Sequence, residues 1–182
     1  MKNNFKTVVQ SQVTMSLLML PSHSNFSGKI HGGFILSLLD QIAFASASKF
    51  SGHYCVTASV DTVDFLSPIE VGELVTLKAC VNFVGKTSMI VGIRVEAENI
   101  HTGEVKHCNS SYFSMVAKDE SGKPTTVPGL IIKSKEEYRR FLNALNRKKK
   151  QKEISNFKVA SDLNSQELEK ELANYNIKIE SF

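Results

Sequence analysis

Asn25-Phe26-Ser27-Gly28-Lys29-Ile30-His31-Gly32-Gly33-Phe34-Ile35-Leu36-Ser37-Leu38-Leu39-Asp40 sets a single carboxylate into an otherwise apolar helical stretch. Counting on through Ile42, Ala43, Phe44, Ala45 and Ala47, the segment is apolar nearly all round, so the helix is expected to be wrapped by other structure instead of lying on a surface. An unpaired buried charge is strongly disfavoured. Asp40, flanked by Leu38, Leu39 and Ile42, therefore needs good hydrogen-bond partners or a cavity that holds water and ligand. The helix starts at Gly32-Gly33, after the polar, turn-forming segment 21–28, and ends near Phe50-Ser51-Gly52.

Upstream, residues 8–20 place Val9, Ser11, Val13, Met15 and Leu17 on alternate positions, as a strand does. Downstream, strand-like segments at 54–66, 74–84, 87–99 and 105–117 are separated by the turn signals Pro68-Ile-Glu-Val-Gly72, Gly85-Lys86 and His101-Thr-Gly103. One short strand, a central helix and four long strands give an α+β domain whose antiparallel sheet curls around the helix. The exposed edges of such a sheet are commonly resolved by pairing across a two-fold axis, so a dimer is expected. Beyond 117, residues 118–129 read as a turn and an extended arm. Residues 134–150 read as a helix with Tyr138, Phe141, Leu142 and Leu145 at helical spacing and a Ser134-x-x-Glu137 capping box. The tail 151–182 is polar, with Asn164-x-x-Glu167 able to cap one further short helix.

The chain has 182 residues, 42% hydrophobic and 22% charged, which suits one globular domain of residues 8–132 plus a C-terminal extension, 133–182. No run of about 18 apolar residues exists and the N-terminus lacks a secretory pattern, so a cytoplasmic protein without a membrane partner is expected. Residues 133–152 hold nine Lys or Arg against two Glu, a local +7 within a chain of net +4. A solvated helix face is the expected reading of that run, ahead of nucleic acid, acidic lipid or cofactor phosphates. Cys55, Cys80 and Cys108 are scattered without CxxC spacing, so they read as buried free thiols and not as a zinc site or disulfide framework. His101 and His107 lack the spacing of a metal site, and none is expected.

His31-Gly32-Gly33 followed by Asp40 on the helix and preceded by Asn25 resembles the hotdog-fold acyl-CoA thioesterases. The segments Val56-Thr-Ala-Ser59-Val-Asp61-Thr-Val-Asp64-Phe65-Leu-Ser-Pro68-Ile, Val84-Gly85-Lys86-Thr87-Ser88-Met89 and the arm from Phe113 to Pro128 are similar to the cytosolic acyl-CoA hydrolase branch of that superfamily. The resemblance spans roughly residues 8–132 and implies hydrolysis of an acyl-CoA to free acid and CoA, with no cofactor beyond the CoA of the substrate. It assigns an oxyanion donor to Gly33, an active-site amide to Asn25 and a positioning hydroxyl to Ser59. It also implies a homodimer in which the Asn and Asp of one site come from opposite protomers, with a trimer of dimers as a further step.

The residues fit that reaction on their own chemistry. A thioester needs its carbonyl oxygen stabilised, a nucleophile supplied and its long CoA chain held in place. Gly32 and Gly33 offer unpaired N–H groups at the positive end of the helix dipole. Asp40 is the general base on a water, or the nucleophile that gives an anhydride. His31, at a helix N-terminus that disfavours imidazolium, reads as a neutral hydrogen-bonding residue that shapes the loop. Lys86, Thr87 and Ser88 suit phosphate or pantetheine contacts, or equally a plain hairpin turn, with Arg94 a weaker candidate. Asp61 and Asp64, three apart on a strand, fall on opposite faces and form no paired site. A hydratase of the same fold, or a non-catalytic acyl-CoA-binding module in which Asp40 would be dispensable, are the competing readings.

Overall fold

The computed structural model describes residues 4–155, with side chains through residue 151. The proposed cap at Asn164-x-x-Glu167 lies outside the described residues. The chain forms two compact units, residues 1–146 and 147–182.

In the first unit, a sheet of order β2-β5-β6-β7-β3 curls around one helix. Its strands are β2 (Val13–Leu18), β3 (Tyr54–Val60), β5 (Glu73–Val84), β6 (Ser88–Asn99) and β7 (Val105–Lys118), all antiparallel to their neighbours. The two-residue β4 (Asp64–Phe65) also pairs with β7. The helix α1 runs Gly32–Ser51 and stops where Gly52, at φ 77°, takes the left-handed conformation that only glycine adopts freely. Val75, Leu77, Ala79 and Val81 of β5 alternate inward with Val91, Ile93 and Val95 of β6, and Leu39, Ile42, Ala43 and Phe50 of α1 close the core above them. The expected α+β arrangement is thus present, and β5, β6 and β7 follow one another as a meander. Strand β3, expected to continue that meander beside β5, instead pairs with β7, and β2 takes the place beside β5.

Three local expectations are corrected. Residues 8–11 form a short 3-10 turn and not the start of a strand, because Ser11 Oγ donates to Val8 O at 2.6 Å and Gln10 folds back to accept from the Thr7 N–H at 2.8 Å. The segment 54–66 is interrupted at 61–63, so Asp61 and Asp64 do not share one strand. The helix is covered on one side only: Gly33, Leu36, Ser37, Asp40, Gln41 and Phe44 are exposed along a single stripe. A single sheet curls over one side of a helix, and the apolar residues Leu36 and Phe44 on the other side stay 39% and 38% exposed, with the Tyr54 ring edge-on to Phe44 at 5.4 Å.

A further pairing had no sequence signal. β1 (Phe5–Thr7) runs parallel to β8 (Gly129–Ile131), joining the two ends of the unit. The helix α2 (Lys135–Ser155) starts as expected: Ser134 Oγ accepts the Glu137 N–H at 3.1 Å, while the Glu137 carboxylate reaches back to the Lys133 N–H at 2.6 Å. Within the first unit its docked face is Phe141, stacked 5.7 Å from Phe83, with the buried Ala144. Tyr138 and Leu142 stay exposed.

Candidate active site

Asp40 sits on the uncovered stripe of α1, two helical turns beyond Gly33, and is exposed. Its Oδ1 accepts a hydrogen bond from Thr57 Oγ1 at 2.5 Å. The second carboxylate oxygen accepts no hydrogen bond from a described residue, so it is available to a water or a substrate. Thr57 lies on the edge strand β3, beside a bulge: Thr57 pairs with Met115, Ser59 pairs with Ser114, and Ala58 is the extra residue between them. Bulges beside active sites commonly re-aim side chains.

That bulge decides which hydroxyl meets the carboxylate. In a regular strand Thr57 and Ser59 share a face. Here Thr57 stands beside the inward Met115, and Ser59 stands beside Ser114 on the other face of the sheet. Ser59 is therefore not brought to Asp40 within one chain. Thr57, which the sequence reading passed over, is.

The other half of the site is built at the start of α1. Residues 24–30 form a loop closed by a bridge between Ser24 and Ile30, and Asn25 is its organiser. Asn25 Oδ1 accepts from Ser27 N (2.9 Å), Ser27 Oγ (2.7 Å) and Lys29 N (3.2 Å). With its oxygen committed to the loop, the chemistry left to Asn25 is donation from Nδ2. The loop is fixed to the helix start by His31 N–H to His23 O at 2.9 Å and by the His23 ring stacked on Phe34 at 4.0 Å.

His31 is the N-cap of α1. Its Nδ1 accepts the Gly33 N–H at 3.0 Å and so ties the loop to the first turn of the helix. The Gly33 N–H is thus engaged by His31, while the Gly32 N–H carries no such bond. A Cβ at Gly32 would meet the Phe65 ring at an ordinary 3.4 Å, whereas one at Gly33 would fall 3.1 Å from His31 Nδ1. No hydrogen bond joins the Asn25–Gly33 half to the Asp40–Thr57 half. Seven residues of helix separate Gly33 from Asp40, a rise of roughly 10 Å.

Lys86 and Thr87 lie in the β5–β6 turn and Ser88 opens β6, the turn being held by Gly85 N–H to Ser88 O at 2.7 Å and by Val127 N–H to Lys86 O at 3.1 Å. The turn lies across β6 and β7 from β3, and none of its side chains contacts Asp40. Arg94 is far from this region, on the outer face of the sheet, paired with Glu96 at 2.7 Å. Cys55, Cys80 and Cys108 are free and buried, as expected. Burial pushes the Cys80 and Cys108 thiols up from their ordinary value, which keeps both protonated and unreactive.

A curled antiparallel sheet holding one long helix in its concave side, with the candidate carboxylate on that helix, is the hotdog fold of thioester-processing proteins. The profile of the Thioesterase superfamily matches residues 27–104, and the chain belongs to that superfamily. It is 45% identical to Protein VdlD of Helicobacter pylori over 142 residues, 78% of this chain and 81% of that protein. It is 35% identical to the uncharacterized acyl-CoA thioester hydrolase YkhA of Bacillus subtilis, covering 79% of this chain and 83% of the other. The cytosolic acyl coenzyme A thioester hydrolase of Rattus norvegicus is 31% identical over 74% of this chain and 36% of its own length.

Among solved structures, an apo-hexameric acyl-CoA thioesterase superposes with a TM-score of 0.83 at 38% identity, over 85% of this chain and 99% of that one. The acyl-CoA hydrolase of Staphylococcus aureus, in complex with butyryl coenzyme A, coenzyme A and coenzyme A disulfide, superposes with a TM-score of 0.77 at 29% identity, over 93% and 99%. Structures of that hydrolase also exist with one aspartate, one threonine or one asparagine replaced by alanine. The three replaced residues are separated along their chain by the same intervals as Asp40, Thr57 and Asn25 here.

Proposed function

We propose that this protein hydrolyses acyl-CoA thioesters to free carboxylic acid and CoA in the cytoplasm, at sites shared between two copies of the chain. The observation that carries the reading is Asp40, held by Thr57 on a helix face that its own sheet leaves open. The match in spacing with the three residues altered in the staphylococcal hydrolase supports it. So does the absence, among the described residues, of any helix long and apolar enough to cross a membrane.

In this reading Asp40 takes a proton from water through its free oxygen as the water attacks the thioester carbonyl carbon. The tetrahedral oxyanion collapses, the C–S bond breaks, and the leaving thiolate of CoA recovers the proton. Direct attack by the carboxylate, through an anhydride, uses the same geometry. The oxyanion is stabilised by the Gly33 N–H, which His31 Nδ1 releases as substrate binds, and by Asn25 Nδ2.

These donors cannot serve the same carbonyl as Asp40 of their own chain. The reacting carbonyl must lie within about 3–3.5 Å of the donor and one water away from the base, and one helix sets the two groups roughly 10 Å apart along its axis. The donor half of one protomer is therefore set against the carboxylate half of its partner. The exposed Leu36 and Phe44 and the open edge of β3 supply the dimer surface, and the hexamer of the related thioesterase is the assembly we expect. Lys86, Thr87 and Ser88 would then meet the CoA chain or its phosphates.

The test is release of free CoA thiol from short-, medium- and long-chain acyl-CoAs by wild type and Asp40→Asn. Turnover that falls at least about 100-fold in the variant supports the assignment. Binding of acyl-CoA without thiol release by the wild type would replace it with the binding-module reading.

A further inference from the structure

The outer face of the sheet, opposite α1, carries a cavity of about 500 Å3 roofed by the start of α2. One glycine makes its floor. A Cβ at Gly92 would fall 2.1 Å from Asn82 Nδ2, so only glycine leaves the Asn82 amide the space it occupies. Asn82 is the extra residue of a bulge in β5, between Val81 and Phe83, and it is only 5% exposed. Its Oδ1 accepts the Cys80 thiol at 3.2 Å. Its Nδ2 meets no acceptor among the described residues and, unlike Ser48 Oγ, Asn109 Oδ1 and Ser111 Oγ, is not sealed from solvent, so it is open to a ligand in the cavity.

The walls around that donor are cationic. Lys78 and Arg94 share one carboxylate, Glu96, and Arg139 and Arg140 share another, Glu136, so four positive charges face two negative ones. Glu96 takes the Nε of Arg94, and the terminal nitrogens of that guanidinium have no partner among the described residues. Arg140 spends Nε on Glu136 and Nη1 on the Cys80 sulfur at 3.8 Å, which leaves Nη2. A buried neutral donor below two incompletely used guanidinium forks, under a net positive charge, is a receptor for an oxygen anion. Asp40 and Thr57 lie on the other side of the sheet, so this cavity is no part of the proposed active site.

We propose that this cavity is a second ligand site, which binds a small molecule through an oxyanion, phosphate or carboxylate, seated on Asn82 Nδ2 between Arg94 and Arg140. The proposal stands whether or not the chain hydrolyses acyl-CoA. It is tested by isothermal titration of the full-length protein with pyrophosphate and, separately, with butyrate. Wild type, Asn82→Leu and Arg94→Gln are compared, each checked for an unchanged circular dichroism spectrum.

Saturable binding of either ion by wild type, weakened at least about 10-fold in both variants, is the expected result, as a lost charge-assisted hydrogen bond requires. Response to pyrophosphate alone makes the ligand a phosphate ester, and response to butyrate alone makes it a carboxylic acid. No saturable binding by wild type, or equal binding by wild type and the folded variants, overturns the proposal. Should Asn82→Leu fail to fold, Arg94→Gln, on an exposed side chain, decides alone.

Discussion

The proposed division of the site between two copies can be measured by subunit complementation. Asp40→Asn removes the carboxylate and keeps its shape. Asn25→Asp keeps the oxygen that accepts the three loop hydrogen bonds, removes the Nδ2 donor and sets a negative charge in its place, which opposes an oxyanion. Each variant alone is expected to lose about 100-fold or more in turnover, as the loss of a general base or of an oxyanion donor does. After equal amounts are mixed and allowed to exchange, half of the dimers are hybrids by random pairing. Each hybrid has one site with both native groups, Asn25 from one chain and Asp40 from the other, and one site with neither. The mixture should therefore reach about 25% of wild-type activity, a gain of roughly 25-fold over either parent. The assay is thiol release from an acyl-CoA, with hybrid formation followed by native mass spectrometry of differently tagged chains. Hybrids that form in full while activity stays at the parental level would refute the argument from the 10 Å helical rise.

Other substitutions test neighbouring steps. Thr57→Val should lower kcat by roughly 10- to 150-fold, the value of a hydrogen bond to a charged group, about 1.5–3 kcal/mol, whereas Thr57→Ser should stay within about 3-fold of wild type. Ser59→Ala, altering a residue on the other face of the sheet, should change kcat by less than about 2-fold in the same assay. Phe50→Ala removes a side chain that is 0% exposed, and denaturant unfolding should show a loss of about 3–5 kcal/mol. Glu136, held by hydrogen bonds from Arg139 and Arg140, has its pKa lowered from 4.5 to about 2. Its contribution to the start of α2 is present above pH 4.5 and fades as pH falls toward 2. Carboxyl NMR should give that low midpoint in wild type, and Arg139→Gln should raise it.

The sequence makes α1 legible because both of its ends are written in local chemistry, a His31 cap with paired glycines at the start and Gly52 at the stop. The long strands are legible from their alternation. The exposure of Asp40 is not, because Leu36 and Phe44 on the same stripe read as core residues while the sheet leaves both partly exposed, and hydropathy does not say which apolar residues a fold covers. Thr57 was overlooked for a related reason. Hydroxyls in strands are common, and the face each one takes depends on a bulge that a period of two does not reveal. The pairing of β1 with β8 joins segments far apart in sequence, each only three residues long, too short to carry a pattern. The same applies to Asn82 and Gly92, whose relation appears only once β5 and β6 are in register.

The bulge at Ala58 also bears on how this family can change length. Because Ala58 is unpaired, Thr57 faces Asp40 and Ser59 faces away in the same manner as two adjacent residues of a regular strand would. Removing Ala58 would straighten the ladder and leave every other side chain of β3 on its present face. Removing Ser59 would let Ala58 take its place opposite Ser114 and would likewise keep the faces that follow, at the cost of one hydroxyl. The bulge is thus the place on this strand where a descendant could lose a residue and keep the pairing of Thr57 with Asp40.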